Sequence, residues 1–551
     1  MTAALLIAKL SLLGVLFTFL PLFAGLRVGR RSLAIGLVAA LATLVASAAV
    51  ALRHASLSVA GLPDAHTGAL TATAGGGLMH HWPLLVAALA GGLIVLAALT
   101  WIVLRFPLWA VPAALVLMPI RIPIPTGSGS ANLLLPLYVL VLAVLIAEVL
   151  VRDRLAPPAG AGRDHLRLAL AGFILIAGLS SLWAGLDLVP ADKALAATLV
   201  KLFAFYLPFA VVYYVVFRYV RTAVELRRLL LTIVWFGAVL AVVGIVQYPT
   251  RLVFLNRATI LHEQQLGQGF RVNSVFNDPN VFSRFLIMVL LLCLALAVVE
   301  PLWRRRLGGI AVLVAVANVF TASRSGWIAL AAGLLLFVYA WLGRRKGTYV
   351  TVAIVVVGLA GLAVLFEARN TRITWAKFQH PWGINRLTGG RYYLWQAGTD
   401  MIRSHPLGGV GLGVFPLAYP AFRDRHADPN LRESHTTPIT VLAELGGAGL
   451  GLYFIVIFTA FSTALGRGPR TVRPPAAAHA PPEEELPDRR LYLIKAGLAA
   501  VVLAMFVDSL LYNDFFEDPY LWTMLALIAA AACRLAVWEV RSATTLTSRN
   551  A

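Results

Sequence analysis

Long apolar runs recur along the whole chain and constrain its fold more than any other feature. A helix needs about 20 apolar residues to cross the hydrocarbon core of a bilayer, and many of these runs have that length. Only 13% of the 551 residues are charged, whereas soluble domains carry roughly 25%. The sequence therefore predicts an all-α, polytopic integral membrane protein of about fifteen transmembrane helices. The predicted spans are 4–24, 33–52, 83–104, 107–122, 132–150, 166–185, 197–217, 229–248, 281–299, 308–322, 326–342, 349–366, 435–463, 491–512 and 519–538, of which 107–122 and 308–322 are short enough to be tilted or re-entrant.

Clusters of basic residues fall on alternate connections between the predicted spans. Cytoplasmic loops carry an excess of Lys and Arg, so these connections are assigned to the cytoplasm. This topological bias explains the net charge of +21, and no nucleic-acid partner is expected because the charges form no continuous stripe. The basic connections lie at residues 27–31, 152–163, 218–228, 304–306, 344–346 and 467–473. The connections predicted to face outward are 53–82, 123–131, 186–196, 249–280, 323–325, 367–434 and 513–518.

Two polar segments divide the chain. Residues 1–366 form transmembrane helices with short loops, and residues 367–434 form a large outer-face loop. A transmembrane helix at 435–465 is followed by the segment 466–490, whose Pro, Ala and charged residues are typical of a disordered cytoplasmic linker. Residues 491–551 add two further helices and a cytoplasmic tail.

No metal or other cofactor is expected. The two cysteines lie inside apolar runs and imply neither a disulfide framework nor a thiolate metal site. The histidines of the 53–82 loop lack the ligand spacing of a known metal site. The outer loops also contain no DxD pair of the kind that holds a divalent cation.

The longest polar interruption runs from Arg369 to His435. It contains nine basic and four acidic residues, and five Trp and Tyr residues precede Leu412. A basic, aromatic insert between two spans suggests a site for an anionic, lipid-linked substrate at a membrane face. The sequence GGRYYLW opens a predicted short helix that ends at Ser404, with Arg391 at its start. The following GGVGLGVF has no preceding strand, so it indicates flexible backbone or close approach to a ligand rather than a dinucleotide fingerprint.

Three further cations are candidates for the same site. Arg324 lies in a hairpin tip, where the hydroxyls of Ser323 and Ser325 suit phosphate oxygens, although an arginine that extends to the interface is equally consistent. Arg284 lies about one turn into a span, where a charged group needs a partner or a polar cavity. Lys201 lies near the outer end of another span and has the same two interpretations.

Several acidic and polar residues support these cations. Asp278, followed by Pro279, is a standard helix N-cap, and Asn280 lies in the same segment. Glu444 and Asp508 lie inside apolar runs and need interior partners, for which the cations above are candidates.

One histidine lies where the insert re-enters the membrane. His435 is either an ordinary interface residue or a general base, because the pKa of histidine is close to neutrality and this position faces the loop.

Four motifs occur in an order that resembles the O-antigen ligase and O-antigen polymerase superfamily of bacterial envelope glycosyltransferases. They are FNDPN with a following Arg, TASRSG, GGRYYLWQAGTDMIRSHPLGGVGLGVF and SHTTPITVLAELGGAGLGLY, and they cover about residues 270–460. The resemblance implies an integral-membrane glycosyltransferase fold of the GT-C-like type in the bacterial cytoplasmic (inner) membrane. It also implies an undecaprenyl-diphosphate-linked glycan donor and metal-independent, inverting transfer to a glycan, lipid or protein acceptor on the outer face.

The resemblance also implies roles for individual residues. His435 would activate the acceptor hydroxyl, and Arg324 would hold the donor diphosphate, with Arg284, Arg391 and Lys201 as further diphosphate ligands. The family often has Asn after this histidine, whereas this chain has Thr436.

Two alternatives remain at this point. A polymerase of the same superfamily would differ only in its acceptor. A lipid-linked glycan flippase or transporter would also have many spans and interior charges. Transporters, however, concentrate polar sites near the midplane and often contain inverted repeats, neither of which this sequence displays.

Overall fold

The computed structural model is a bundle of helices with one small hairpin. It describes residues 82–126, 129–151, 164–185, 188–254, 269–343, 345–354, 381–387, 391–427, 434–466, 486–512 and 514–533, together with residue 356 and parts of 9–23. Within these ranges seven helices are long and apolar enough to cross a membrane, or eight if one bent pair is counted as a span. This confirms a polytopic membrane protein. The predicted span 33–52 and most of 349–366 lie outside the described residues.

The helices follow the predicted spans closely where both can be compared. Their bounds are α1 Trp82–Arg105, α2 Ala110–Leu117, α3 Leu135–Val151, α4 His165–Leu179, α5 Ala191–Lys201, α6 Leu207–Tyr219, α7 Ala223–Thr250, α8 Pro279–Val299, α9 Arg304–Thr321, α10 Arg324–Leu342, α11 Pro381–Leu387, α12 Arg391–Ser404, α13 Phe415–Phe422, α14 Thr437–Leu465, α15 Leu486–Ser509 and α16 Pro519–Cys533. Short 3-10 turns occupy Pro107–Trp109, Ser180–Leu182 and Pro301–Trp303, and a π-helical turn, Leu202–Tyr206, joins α5 to α6.

The segment predicted as a short span at 107–122 is the sharpest departure from a regular bundle. The chain bends by 113° between Gly91–Arg105 and Pro107–Leu117, at a proline that cannot continue the preceding helix. Two strands then form an antiparallel hairpin, β1 (Ile122–Thr126) and β2 (Gly129–Leu133). The all-α prediction is therefore incomplete by this one hairpin.

Local sequence signals set where the key helices begin. The Asp278 carboxylate caps α8 by accepting hydrogen bonds from the backbone N–H groups of Asn280 and Val281, as its position before Pro279 predicts. Helix α10 begins at the Ser323 cap, whose hydroxyl accepts from the Gly326 N–H.

The connections predicted to share a face contact one another. On the face predicted as outer, the Trp183 indole donates to the Gly408 carbonyl and the Arg271 guanidinium donates to the Thr321 carbonyl. On the face predicted as cytoplasmic, Arg227 forms an ion pair with Glu300 at 2.9 Å. The alternating assignment of loops therefore agrees with the packing of the helices, and the candidate residues gather at one end of the bundle.

Candidate active site

Arg284 lies at the centre of a buried ionic cluster. Only 3% of its side chain is exposed, and its Nε lies 2.7 Å from Asp508 Oδ2. Its Nη1 donates to the Asp514 carbonyl at 3.0 Å and lies 3.5 Å from Asp518 Oδ2. The prediction that Asp508 needs a cationic partner is confirmed. Two carboxylates and a carbonyl oxygen contact this guanidinium. Arg284 therefore links α8 to α15 and to the start of α16.

Lys201 is engaged in a similar way. Its Nζ lies 3.4 Å from Glu444 Oε2 and 3.2 Å from Glu517 Oε1. The prediction that Glu444 needs a cation is therefore confirmed as well. Lys201 ends α5 directly before the π-helical turn. This ion cluster therefore ties that irregular segment to the N-terminal part of α14 and to the connection before α16.

The connection before α16 was missed as part of the site. Its sequence NDFFED was assigned to the outer face but given no role, although Asp514, Glu517 and Asp518 supply oxygens to both ion clusters. The one available signal was three acidic residues at the edge of a span, close to cations that need partners.

The glycine-rich segment packs against the backbone of α14. Gly446 interrupts that helix with φ 65° and ψ −165°, and a Cβ placed there would lie 2.1 Å from the Leu407 carbonyl oxygen. The Gly411 N–H donates to the Glu444 carbonyl, and the Phe415 N–H donates to its carboxylate at 3.3 Å. The glycines of GGVGLGVF that contact α14 thus permit close approach to another helix. This packing explains the glycines without the ligand that the sequence suggested.

The backbone around His435 is held on both sides. His435 has a positive φ of 52°, a conformation that is uncommon for residues other than glycine. The buried Ser434 hydroxyl accepts from the Thr436 N–H at 3.1 Å. The Trp395 indole donates to Thr436 Oγ1 at 2.9 Å, and that hydroxyl donates to the Leu510 carbonyl. Nothing in the sequence indicated this role of Trp395. Thr436, which departs from the family pattern, links the segment around His435 to Trp395 and Leu510.

The imidazole of His435 lies half-buried beside charged groups of both signs. Burial lowers its pKa from the ordinary value, the nearby Arg391 guanidinium lowers the pKa further, and the Asp278 carboxylate opposes both effects. Its ring centroid lies 6.2 Å from that of Tyr512. The histidine is therefore biased towards the neutral form, which accepts a proton.

Arg391 lies at the start of α12, as predicted for a helix ending at Ser404. Burial lowers the pKa of its guanidinium, an effect that the nearby Asp508 carboxylate opposes. Arginine nevertheless stays protonated at neutral pH. Among the described residues, Arg391 has no ion pair within 4.0 Å, and its positive charge acts on the His435 imidazole.

Arg324 lies at the exposed start of α10, on the same face. Ser323 and Ser325 have their hydroxyls 3.3 Å apart, and the Ser323 hydroxyl also caps the helix. Arg324 forms no ion pair with any part of the chain that the structure describes. The Arg271 Nε donates a hydrogen bond of 2.8 Å to the carbonyl oxygen of Thr321, the last residue of the neighbouring helix α9.

Arg271 links this tip to the start of α8. Its Nη2 donates to the Asn280 side-chain carbonyl at 2.7 Å, and Asn280 lies next to the Asp278 cap that acts electrostatically on His435. Arg271 thus joins the end of α9, next to Arg324, to the start of α8, where Asp278 acts electrostatically on His435 as Arg391 does. Arg324 and His435 make no direct contact.

Comparison with known proteins bears on the same part of the chain. A family model described as O-antigen ligase matches residues 309–454, from within α9 to within α14. No curated protein matches the chain. The matched range contains Arg324, Arg391 and His435, whereas Lys201 and Arg284 lie before it. The resemblance predicted from the motifs is thereby confirmed for residues 309–454, which match the O-antigen ligase family model.

Proposed function

We propose that the protein transfers a glycan from undecaprenyl diphosphate to an acceptor hydroxyl at the outer face of the bacterial cytoplasmic membrane. The observation that supports this proposal is the position of His435, whose imidazole is near enough to the Arg391 guanidinium and the Asp278 carboxylate for both to act on it electrostatically. The exposed Arg324 lies on the same face of the bundle. His435, Arg391 and Arg324 lie within the range matched by the O-antigen ligase family.

The reaction needs no nucleophile from the protein, because diphosphate is already a good leaving group. The acceptor oxygen attacks the anomeric carbon as the bond from that carbon to the diphosphate oxygen breaks, and His435 takes the proton of the acceptor hydroxyl. The departing diphosphate carries the electron pair away. Fixed guanidinium groups stabilise the charge that develops on it. A single displacement of this kind inverts the configuration at the anomeric carbon.

The four predicted diphosphate ligands divide into two groups by their surroundings. Arg324 and Arg391 are available to an anionic ligand. Arg284 and Lys201 each face two carboxylates, so we assign them to positioning rather than to direct contact with the diphosphate. A phosphate group would have to displace these carboxylates to reach either cation.

The predicted supporting residues act through the backbone in this proposal. Asp278 and Asn280 fix the start of α8, and Ser323 and Ser325 fix the start of α10. Glu444 fixes the glycine-rich segment against α14. The starts of α8 and α10 and the glycine-rich segment are thereby held in place, and such preorganisation is what a site for transition-state charge needs.

The test is transfer by purified protein in nanodiscs, from a synthetic polyprenyl-diphosphate glycan to an acceptor, in the presence of EDTA. His435→Ala should lower kcat by about 10²–10⁴-fold, and Arg324→Gln and Arg391→Gln should both weaken transfer. His426→Ala is the matched control, since His426 is an exposed histidine of the same loop that contacts Asp424. It should retain wild-type activity.

The acceptor is determined in the same assay. A lipid core acceptor and a second lipid-linked glycan are offered separately, and we expect transfer to the former if the protein acts as a ligase. Unchanged transfer by His435→Ala, or translocation of the lipid-linked glycan without transfer, would overturn the proposal.

A further inference from the structure

A lateral groove opens at the end of the bundle opposite the candidate active site. Its volume is about 800 Å³, and it lies between α7, the last residues of α6 and the bent connection from α1 to α2. The 113° bend at Pro107 turns Trp109 outward, where 67% of its surface is exposed. The C-terminal end of α7, in contrast, contacts the candidate-site face through Gln247 and Asn273.

The wall contributed by α7 is a single stripe of the helix. Arg228, Thr232, Trp235 and Val239 recur at intervals of three or four residues, which places them on one face. Val239 lies eleven positions after Arg228, which corresponds to a rise of about 16 Å along the helix axis. This length is close to the hydrocarbon depth of one leaflet, about 15 Å. The stripe therefore has the length of an acyl chain that spans one leaflet.

The two ends of the stripe differ in chemistry. At the Val239 end the lining is apolar, and 47% of Trp235 and 59% of Val239 are exposed. At the other end lie the exposed Arg228 and the carboxylate of Glu225. That carboxylate already accepts hydrogen bonds from two backbone N–H groups in the capping box that starts α7.

Arg228 is the charge left available at this end. Its guanidinium has no ion-pair partner in the described part of the chain, whereas the neighbouring Arg227 is paired with Glu300. Both arginines belong to a connection predicted to be cytoplasmic. Basic pockets between helices on that side of a membrane suit anionic lipid headgroups.

We propose that this groove binds one phospholipid with an anionic headgroup, with its phosphate at Arg228 and one acyl chain along Trp235 and Val239. A zwitterionic phospholipid offers the same chain but no net negative charge for the arginine. The inference is independent of the glycosyl-transfer proposal, because the groove shares no residue with the candidate site.

The experiment is native mass spectrometry of the full-length protein released from detergent that contains equal amounts of dioleoylphosphatidylglycerol and dioleoylphosphatidylcholine. One retained phosphatidylglycerol is expected, and Arg228→Gln should reduce its preference over phosphatidylcholine by about fivefold, the effect of one basic residue near an anionic headgroup. Val239→Trp should fill the chain-binding end and abolish retention of both lipids. Arg305→Gln, at an exposed arginine of α9 outside the groove, is the matched control and should behave as wild type.

Thermal unfolding without added lipid shows whether each variant is folded, so a loss of binding is not confused with a loss of structure. If folded Arg228→Gln keeps the wild-type preference, or folded Val239→Trp keeps the bound lipid, the groove is not a site for an anionic phospholipid.

Discussion

Replacing Arg284 separates a positioning role from direct binding of the diphosphate. In the wild type this side chain is 3% exposed and lies 2.7 Å from Asp508, which is itself 1% exposed. Arg284→Gln would leave Asp508 and Asp518 buried and without their cation. The variant should therefore lose stability first, and lose activity as a consequence.

The magnitude follows from the geometry. At an effective dielectric constant of about 20, two unit charges 2.7 Å apart attract each other by about 6 kcal/mol. Desolvation of the buried ions offsets much of this attraction. Removing one partner of a buried pair typically costs about 3–5 kcal/mol, and we expect Arg284→Gln to fall in that range. Asp508→Asn should cost less, about 1–3 kcal/mol, because Arg284 keeps Asp518 and the Asp514 carbonyl.

The assay is reversible unfolding in mixed micelles, followed by circular dichroism as the denaturing detergent is increased. The double variant Arg284→Gln with Asp508→Asn should be more stable than the sum of the two single losses predicts, by about 0.5–3 kcal/mol. Arg324→Gln is the matched control, because this arginine is exposed and has no ion pair within the described residues. It should leave the unfolding transition in place while it weakens transfer.

A positioning role for Arg284 would be refuted if Arg284→Gln unfolds at the wild-type detergent concentration and yet loses affinity for the lipid-linked donor. That result would mean that the two carboxylates release the guanidinium to the diphosphate, and Arg284 would then be a direct ligand.

Two further predictions concern the loop and the helix that carry the site. Because Arg391 lowers the pKa of His435, Arg391→Gln should raise that pKa and move the acidic limb of the pH profile of kcat/KM to higher pH; an unmoved limb would separate the two residues. Gly446→Ala should destabilise the protein by about 3 kcal/mol or prevent folding, because its positive φ and its approach to the Leu407 carbonyl leave no room for a Cβ. Gly451→Ala in the same helix has open space, and its thermal midpoint should equal or exceed that of the wild type.

Local features of the site could be predicted because the sequence signals that specify them are local. Asp278 caps α8 from one residue before Pro279, as predicted, whereas the cap that Ser323 provides for α10 was not predicted. The start of α12 at Arg391 was expected from the residues around it. The two caps depend on hydrogen bonds within three positions of the chain, and such bonds follow from residue types and spacing.

Which cation pairs with which carboxylate could not be predicted, since it depends on contacts across the whole chain. Arg284 and Asp508 are 224 positions apart, and no periodicity in the sequence connects them. A buried arginine therefore has two interpretations, a ligand site or a paired charge, and only the fold decides between them. The same holds for GGVGLGVF, whose glycines suit a ligand or a neighbouring helix equally well until Gly446 of α14 is found beside Leu407.

This division of the cations bears on how such a site would work. The charge of a cation that already faces two carboxylates is largely neutralised and attracts a third anion only weakly. In the proposed mechanism Arg284 and Lys201 would therefore contribute to leaving-group stabilisation only by holding the helices in place. The acidic connection before α16 supplies those carboxylates, and it thereby lets cations lie deep in the bundle without attracting the substrate. In the proposed mechanism the attractive charge is then concentrated on Arg324 and Arg391. An anionic donor that arrives along the membrane would meet these two residues first, with the imidazole of His435 ready to take the acceptor proton.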